Sequence, residues 1–485
     1  MTQSAVNVAD WTVPFTDVVI AGAGPTGLML AAELKLAGVD PVVLERRESQ
    51  ELVGSRGGGF HSRTIELLDQ RGIAERFLAE GTTINAATFG STALDLSRLP
   101  TRHPYTLALF QNHIERLLLG WAEELGVRIQ RGAEVSGLTQ DADGVDVHLA
   151  GGDLLRARYV VGADGGRSIV RRSADIGFEG PAATRSTLIA EVEVTEDLPP
   201  AGGTIDERGV HGLHAMGDGR VRVVATEEHL ETAEPTLADL SRCLIGVFGT
   251  DFGVHNPTWL SRFTDATRQA ASYRQGRVLL AGDAAHVHSP TGGQGIGLGL
   301  QDAVNLGWKL GQVVTGVSSE GLLDTYHAER HPAGARALRY TMAQSLFQKA
   351  DPRQYALRDL LDEVLVLEDA NVHMAALVAG LDVAYDFGPG HPLLGRRMPD
   401  LDIGDTRVFE LLHDARPVVL EFGGPSLGSQ AHSVTYEGPW VLPVLGEVPA
   451  PTGVLIRPDG HVGWVGQGTS DGLADALAQW CGTRG

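Results

Sequence analysis

The chain has 485 residues, too many for one hydrophobic core, so two or three domains are expected. Its composition, 43% hydrophobic and 21% charged, is that of an ordinary globular protein, and 39 basic against 61 acidic residues leave a formal net charge of −22. That diffuse negative field disfavours nucleic acid and anionic membranes as partners. The only cysteines, Cys243 and Cys481, are far apart, which excludes a disulfide scaffold, a CxxC pair and a cysteine zinc site and fits a reducing cytoplasm. No apolar run approaches the roughly 18–20 residues of a membrane span. Residues 1–16 carry Asp10 and no Lys or Arg, so they read as a disordered leader rather than a signal peptide.

Residues 17–46 organise the rest of the chain. Residues 18–21 read as a short buried strand, and Gly22, Gly24 and Gly27 supply the spacing G-x-G-x-x-G around Pro25 and Thr26. An apolar helix continues over 28–36. The first glycine permits the tight turn, the second lets backbone approach a pyrophosphate, and the third lets helix and strand pack closely. A second strand, 41–44, ends in Glu45, 18 residues after Gly27 and close to the ~20 expected of a ribose-binding acid. Strand, glycines, helix, strand and acid in this order specify a dinucleotide site. The loop 46–60 then sets Arg56, a permanent cation, beside Gly57–Gly59, where backbone can pass close to a bulky group; the alternative is a solvated arginine on a flexible loop. Residues 61–72 form an amphipathic helix with Ile65, Leu67 and Leu68 inward. Its His61 either faces a ligand or is a satisfied structural histidine, and the local pattern favours the second.

Strand and turn are expected at 86–95, a strand at 105–110 leading to Gln111, and a helix over 111–125. Short strands are expected at 127–129, 134–139 and 145–149, with Asp143-Gly144 as a hairpin signal. The buried strand 159–164 runs into Gly165-Gly166. Between 184 and 273 the pattern changes to alternating strands with one helix, 237–248, which reads as an antiparallel sheet inserted in the nucleotide-binding domain. The buried strand returns at 277–283, ending in Gly282-Asp283. A glycine-rich turn, residues 290–299, opens a helix over 300–314, and such a helix N-terminus suits an anionic group. His286 and His288 invite a metal reading, which fails for want of a third ligand nearby, so no metal is expected. Helices are expected at 322–339 and 353–379, and a third, small α/β unit from 391, closing on a helix at 472–480.

Three blocks, GAGPTG with Glu45-Arg46, GADGG at 162–166 and AGDAAHVHSPTGGQG at 281–295, together resemble the single-component FAD-dependent aromatic hydroxylases, the class A flavoprotein monooxygenases. The resemblance runs in order through 17–465 and is greatest to the actinobacterial polyketide hydroxylases and rifampicin monooxygenases. It implies an α/β fold: a Rossmann-like FAD-binding domain of three β/β/α layers (17–183 and 274–390), an inserted antiparallel substrate domain (184–273), and a thioredoxin-like domain (391–485) without redox cysteines, serving packing or oligomer contacts. It implies non-covalent FAD held by Gly22, Gly24, Pro25, Thr26, Gly27, Glu45 and Arg46, with Gly282 and Asp283 at the ribityl–pyrophosphate. Asp164 and Gly165 would serve both FAD and NADPH, and Pro290, Gly293, Gln294, Gly295, Ile296 and Gly297 would lie beside the isoalloxazine. Arg56, matching an arginine near the flavin ring, and Gln111, matching a glutamine facing FAD, complete the set. One departure stands out: relatives commonly carry Asn where this chain has Gly297. With no second nucleotide fingerprint, NADPH is expected to dock transiently, NADH remaining open.

The implied reaction is NADPH- and O2-dependent transfer of one oxygen atom to a polycyclic aromatic, polyketide-type substrate. Baeyer–Villiger insertion on the same fold is the alternative, and Arg56 is the residue whose charge bears on the choice. A flavin- and drug-binding protein without turnover is the rival of another class. His211, His214 and Tyr273 are the substrate-pocket candidates, each with a structural role as the competing reading. A monomer or homodimer in the cytoplasm is expected.

Overall fold

The computed structural model describes residues 15–482, apart from residues 56, 201, 217, 218, 425 and 430. The expected contact of Arg56 and nearly all of the expected leader thus lie outside the described residues. The first strand, Thr16–Ala21, begins inside that leader.

Five strands run parallel in one sheet, in the order Val278–Leu280, Leu154–Gly162, Thr16–Ala21, Val42–Glu45 and Arg128–Arg131. Burial on both faces explains why 18–21, 42–44, 159–161 and 278–280 are continuous apolar runs rather than alternating ones, whereas the polar edge strand Arg128–Arg131 is partly exposed. One face is covered by the helices Pro25–Leu36 and Gly295–Val314, which pack so closely that a Cβ on Gly307 or Gly311 would overlap Glu33 or Ala37. The antiparallel meander Val135–Gln140, Val145–Leu149 and Leu154–Gly162 adds the further β-layer. The fingerprint helix starts at Pro25, earlier than the apolar run alone indicates, because proline is favoured in the first turn.

The inserted sheet is antiparallel throughout, in the order Gly203–Ile205, Val210–Ala215, Val221–Thr226, Ser186–Glu193, His255–Thr264. The helix Leu237–Phe248, opened by a Thr236–Asp239 capping box, covers one face through Leu240 and Leu244 against Leu188, Ala190, Val192, Leu213, Val221, Val223 and Ala225. By strand alternation, the opposite face carries Ile189, Glu191, His214, Arg222, Val224, Trp259 and Ser261.

The segment expected as one helix over 353–379 is two, Pro352–Leu365 and Glu368–Ala379. Leu367 is extended, and Glu368 and Asp369 occupy the positive end of the second helix. Val408–Leu412 form a 3₁₀ turn. In the last unit the strand order His432–Ser433, Val418–Glu421, Gly453–Ile456, Val462–Gly466, with the first pair parallel and the others antiparallel, is that of a thioredoxin-like core backed by the helix Leu473–Cys481. One core of this unit, around Phe409, Leu420, Trp440 and Val454, is its own, while Leu455, Trp464 and Trp480 join the core of the parallel sheet.

Candidate active site

The glycine fingerprint, Glu45, Asp164-Gly165 and Gly282-Asp283 lie at the carboxyl ends of the parallel strands, where open α/β sheets bind their ligands. The Gly22 N–H donates to the Leu44 carbonyl at 2.8 Å, which ties the fingerprint turn to the end of the second strand. A Cβ on Gly27 would overlap the Gly22 carbonyl oxygen, while Gly24 and Gly165 face open space. Thr26 is wedged between two distant glycines: a Cβ on Gly282 would lie 2.5 Å from its Oγ1, and one on Gly299 would overlap it. The fingerprint thus meets the Gly282 turn and the helix Gly295–Val314 around one threonine.

Glu45 is buried, and both of its oxygens are engaged. Oε2 accepts from the Ala23 N–H at 2.7 Å, and Oε1 accepts from the Arg47 N–H at 2.9 Å and from Arg47 Nε at 3.1 Å. Burial works to raise its pKa, but these N–H groups and the Arg47 charge hold it below the ordinary glutamate value. Arg46 is exposed, whereas Arg47 reaches across to Glu115 Oε2 at 3.1 Å. Gln50 donates to the same oxygen at 2.6 Å, and Gln111 Nε2 donates to Glu115 Oε1 at 2.9 Å. Glu115 is therefore the buried acceptor that aligns Gln111. The sequence reading missed it, although its place one helical turn after Gln111 is a legible signal.

Asp164 Oδ2 caps the short helix Ile169–Ser173 through the N–H groups of Ile169 (2.7 Å) and Val170 (3.2 Å), leaving Oδ1 buried without a partner. Arg171 joins the two Gly/Asp turns, donating to the Ala284 carbonyl at 2.8 Å and the Gly166 carbonyl at 3.0 Å.

The turn ahead of the helix Gly295–Val314 closes on a Gly293 N–H to Pro290 carbonyl bond of 3.1 Å and is held further by side chains. His61 Nε2 donates to the Gly292 carbonyl at 2.7 Å, and burial lowers its pKa. Gln294 Nε2 donates to the Val378 carbonyl at 3.0 Å. His286 is committed to Asp302, and His288 Nδ1 lies 2.6 Å from the Ser289 carbonyl. Asp283, Pro290 and Gly293 are exposed at the rim. Ile296 points at Gly57, where a Cβ would overlap its Cδ1 and lie 3.4 Å from Gln111 Oε1.

The departure at Gly297 has a steric cause. A Cβ there would lie 2.6 Å from Oγ1 of the buried Thr64. Gly297→Asn alone is expected to weaken FAD binding, since overpacking costs about 1–3 kcal/mol. Adding Thr64→Ala should restore it. Fluorescence titration of the deflavinated variants checks both.

The inserted sheet meets this site through its uncovered face. Arg222 donates to the Ser55 carbonyl, pairs with Glu191 at 3.3 Å and lies 4.9 Å above the Phe110 ring. A Cβ on Gly54 would overlap the Trp259 indole. The Ser55 hydroxyl in turn accepts from the Gln111 N–H at 3.0 Å. Gly54 and Ser55 thus meet the sheet, while Gly57 meets Ile296. None of Glu191, Arg222, Trp259 or Phe110 was singled out from sequence, because only strand register shows which residues share this face.

Of the expected pocket residues, His214 lies on that face. His211 does not: its register places it opposite Ala225 on the helix-covered side, where Nε2 lies 2.9 Å from Asp206 Oδ1. Tyr273 is fully buried among His286, Tyr326 and His331, and its hydroxyl accepts from Gln269 Nε2 at 2.7 Å. Both are packing residues.

Residues 15–341 match the FAD binding domain family, and residues 391–483 match the C-terminal family of aromatic-ring hydroxylases. The chain belongs to the FAD-dependent aromatic-ring hydroxylases. A rifampicin monooxygenase of Streptomyces venezuelae is 45% identical over 96% of this chain and 98% of its own. A 12-dehydrotetracycline 5-monooxygenase/anhydrotetracycline 6-monooxygenase of Streptomyces rimosus is 44% identical over 96% and 99%. The solved anhydrotetracycline hydroxylase of Streptomyces rimosus superposes with a TM-score of 0.89 at 42% identity, covering 97% of this hydroxylase and 99% of that chain. The site fits the cofactor: the orphaned Asp164 Oδ1 and the open faces of Gly24 and Gly165 are what an FAD cradle requires. Among the described residues no helix is long and apolar enough to cross a membrane.

Proposed function

We propose that this chain hydroxylates a polycyclic aromatic, polyketide-type substrate, with NADPH as the transient reductant. The observation that carries this reading is that the uncovered face of the inserted sheet meets the cofactor side directly, Trp259 against Gly54 and Arg222 on the Ser55 carbonyl, two residues from the contact of Gly57 with Ile296. Bound FAD supplies hydride acceptance from NADPH and activation of O2. In our reading Gly22, Gly24, Pro25, Thr26, Gly27, Glu45 and Arg46 hold its ADP portion, with Glu45 fixed by Ala23 and Arg47. Gly282 and Asp283 serve the ribityl–pyrophosphate, and Asp164 and Gly165 the middle of the cofactor. Gln111, Pro290, Gly293, Gln294, Gly295, Ile296 and Gly297 border the ring system, with Arg56 beside them as read from sequence.

The division of labour follows the domains: residues 17–183 and 274–390 for the cofactor, 184–273 for the substrate, and 391–485 as a docked support. Ile189, Val224, Trp259 and Phe110 supply an apolar wall that excludes water and suits fused aromatic rings. Arg222 adds a cation on that wall.

The test is anaerobic flavin reduction by NADPH, with and without anthraquinone, angucycline and naphthoquinone compounds. A compound that accelerates reduction supports the assignment and defines the substrate class. Absence of reduction under all conditions would contradict it. The product then separates the two oxygenations: a new hydroxyl for aromatic hydroxylation, a lactone for Baeyer–Villiger insertion.

A further inference from the structure

The turn Gly282–Ala284 is anchored from within the protein by one carboxylate. Asp302, in the second turn of the helix Gly295–Val314, is fully buried. Its Oδ2 accepts from the Gly282 backbone N–H at 3.1 Å and from His286 Nε2 at 2.7 Å, and its Oδ1 accepts from Arg330 Nε at 2.8 Å. Arg330, also fully buried, donates to the Tyr385 hydroxyl at 3.2 Å and to the Leu298 carbonyl at 3.4 Å.

A buried charge is costly unless fully partnered, and a hydrophobic cluster of the same volume would hold these segments together at least as well. What a carboxylate adds is three directed acceptor sites on one rigid group. One is spent on the backbone of the cofactor turn, and two on side chains that fix the carboxylate. Asparagine cannot substitute: it offers one oxygen and turns an N–H toward a donor.

We propose that Asp302, with His286 and Arg330 holding it, is a positioning residue that sets the Gly282-Asp283 turn for the ribityl–pyrophosphate of FAD. This rests on the assignment of that turn to FAD and not on any substrate. None of the three residues touches the cofactor in this assignment; they act through the Gly282 N–H.

The experiment titrates FAD into deflavinated protein by fluorescence quenching and records thermal unfolding with and without FAD. The variants are Asp302→Asn, His286→Leu and His286→Gln. Asp302→Asn and His286→Leu are expected to weaken FAD binding about 10- to 100-fold, the scale of one or two hydrogen bonds to a charged group. The stabilisation conferred by added FAD should shrink with it. His286→Gln, whose amide can still donate to Asp302, should recover most of the affinity. If Asp302→Asn does not fold, the His286 pair decides the matter alone. FAD affinities within about twofold of the parent in the folded variants, with only the FAD-free stability lowered, would overturn the proposal. Failure of the parent to turn over any aromatic compound leaves this test intact, because no substrate enters it.

Discussion

Replacing Gly27 by alanine is expected to give a protein that purifies without its flavin. The added Cβ would overlap the Gly22 carbonyl oxygen, a backbone atom that Ala21 and the Leu44 carbonyl hold in the sheet. The clash can be relieved only by moving the helix Pro25–Leu36 off the strand, and with it the N–H groups at its first turn and the wedge at Thr26. Overpacking of this kind costs about 1–3 kcal/mol, equivalent to a loss of roughly 5- to 150-fold in FAD affinity if it falls entirely on the cofactor site. The ratio of flavin to protein absorbance, with titration of the deflavinated variant, measures the effect. Gly24→Ala, where a Cβ meets nothing within 4 Å in the protein, should fold normally, and any loss it shows reports the cofactor itself.

The second large effect is expected at Arg457. This residue of the last unit is fully buried, donates to Glu329 Oε1 and Oε2 at 2.8 and 2.7 Å, and pairs with Asp459. Its guanidinium lies among Trp308, Tyr385, Phe387 and Trp480, 4.6 Å from the last. Arg457→Met removes the cation shared by two buried carboxylates while roughly keeping volume, and should cost about 3 kcal/mol, because Asp459 loses its guanidinium and Glu329 keeps only Lys309, at 2.9 Å, of its two cationic partners. Denaturant unfolding measures it. Burial works to raise the Glu329 pKa, but Arg457 and Lys309 hold it at about 2, against 4.5 for an ordinary glutamate. A carboxylate depressed in the native state contributes stability above pH 4.5 that is lost as pH falls toward 2. The gap between parent and variant should therefore narrow over that window. Equal stabilities at neutral pH would show that the last unit is held by its apolar contacts alone.

The turn and strand ends that we assign to the cofactor were legible because their signals are local. A tight turn, a close helix–strand approach and an acid at a strand end each leave a residue type at a fixed spacing, so Gly22, Gly27 and Glu45 could be named without a structure. What aligns them was not legible. Glu115, Asp302 and Arg171 are charged residues on helices, indistinguishable in sequence from solvated ones, and only the tertiary fold buries them. Arg457 is equally silent in sequence, and only the tertiary fold buries it against Glu329 and Asp459. On the substrate side, alternation predicted an antiparallel sheet but not its register. A shift of one residue exchanges the two faces, which is why His211 was read as a pocket residue when Asp206 claims it, and why Arg222 and Trp259 were passed over. Tyr273 misled for a different reason: an aromatic residue at a domain junction is as readily core as pocket, and here it packs against His286, His327, His331 and Tyr326.

Transfer of one atom of O2 to an aromatic substrate at the expense of NADPH is tested most directly by isotope labelling. The flavin-loaded enzyme is run under 18O2 with the compound that most accelerates flavin reduction, and the product is weighed. The expected product carries one 18O atom and forms in proportion to the NADPH consumed. Consumption of NADPH that yields only hydrogen peroxide, or a product without label, would contradict the assignment.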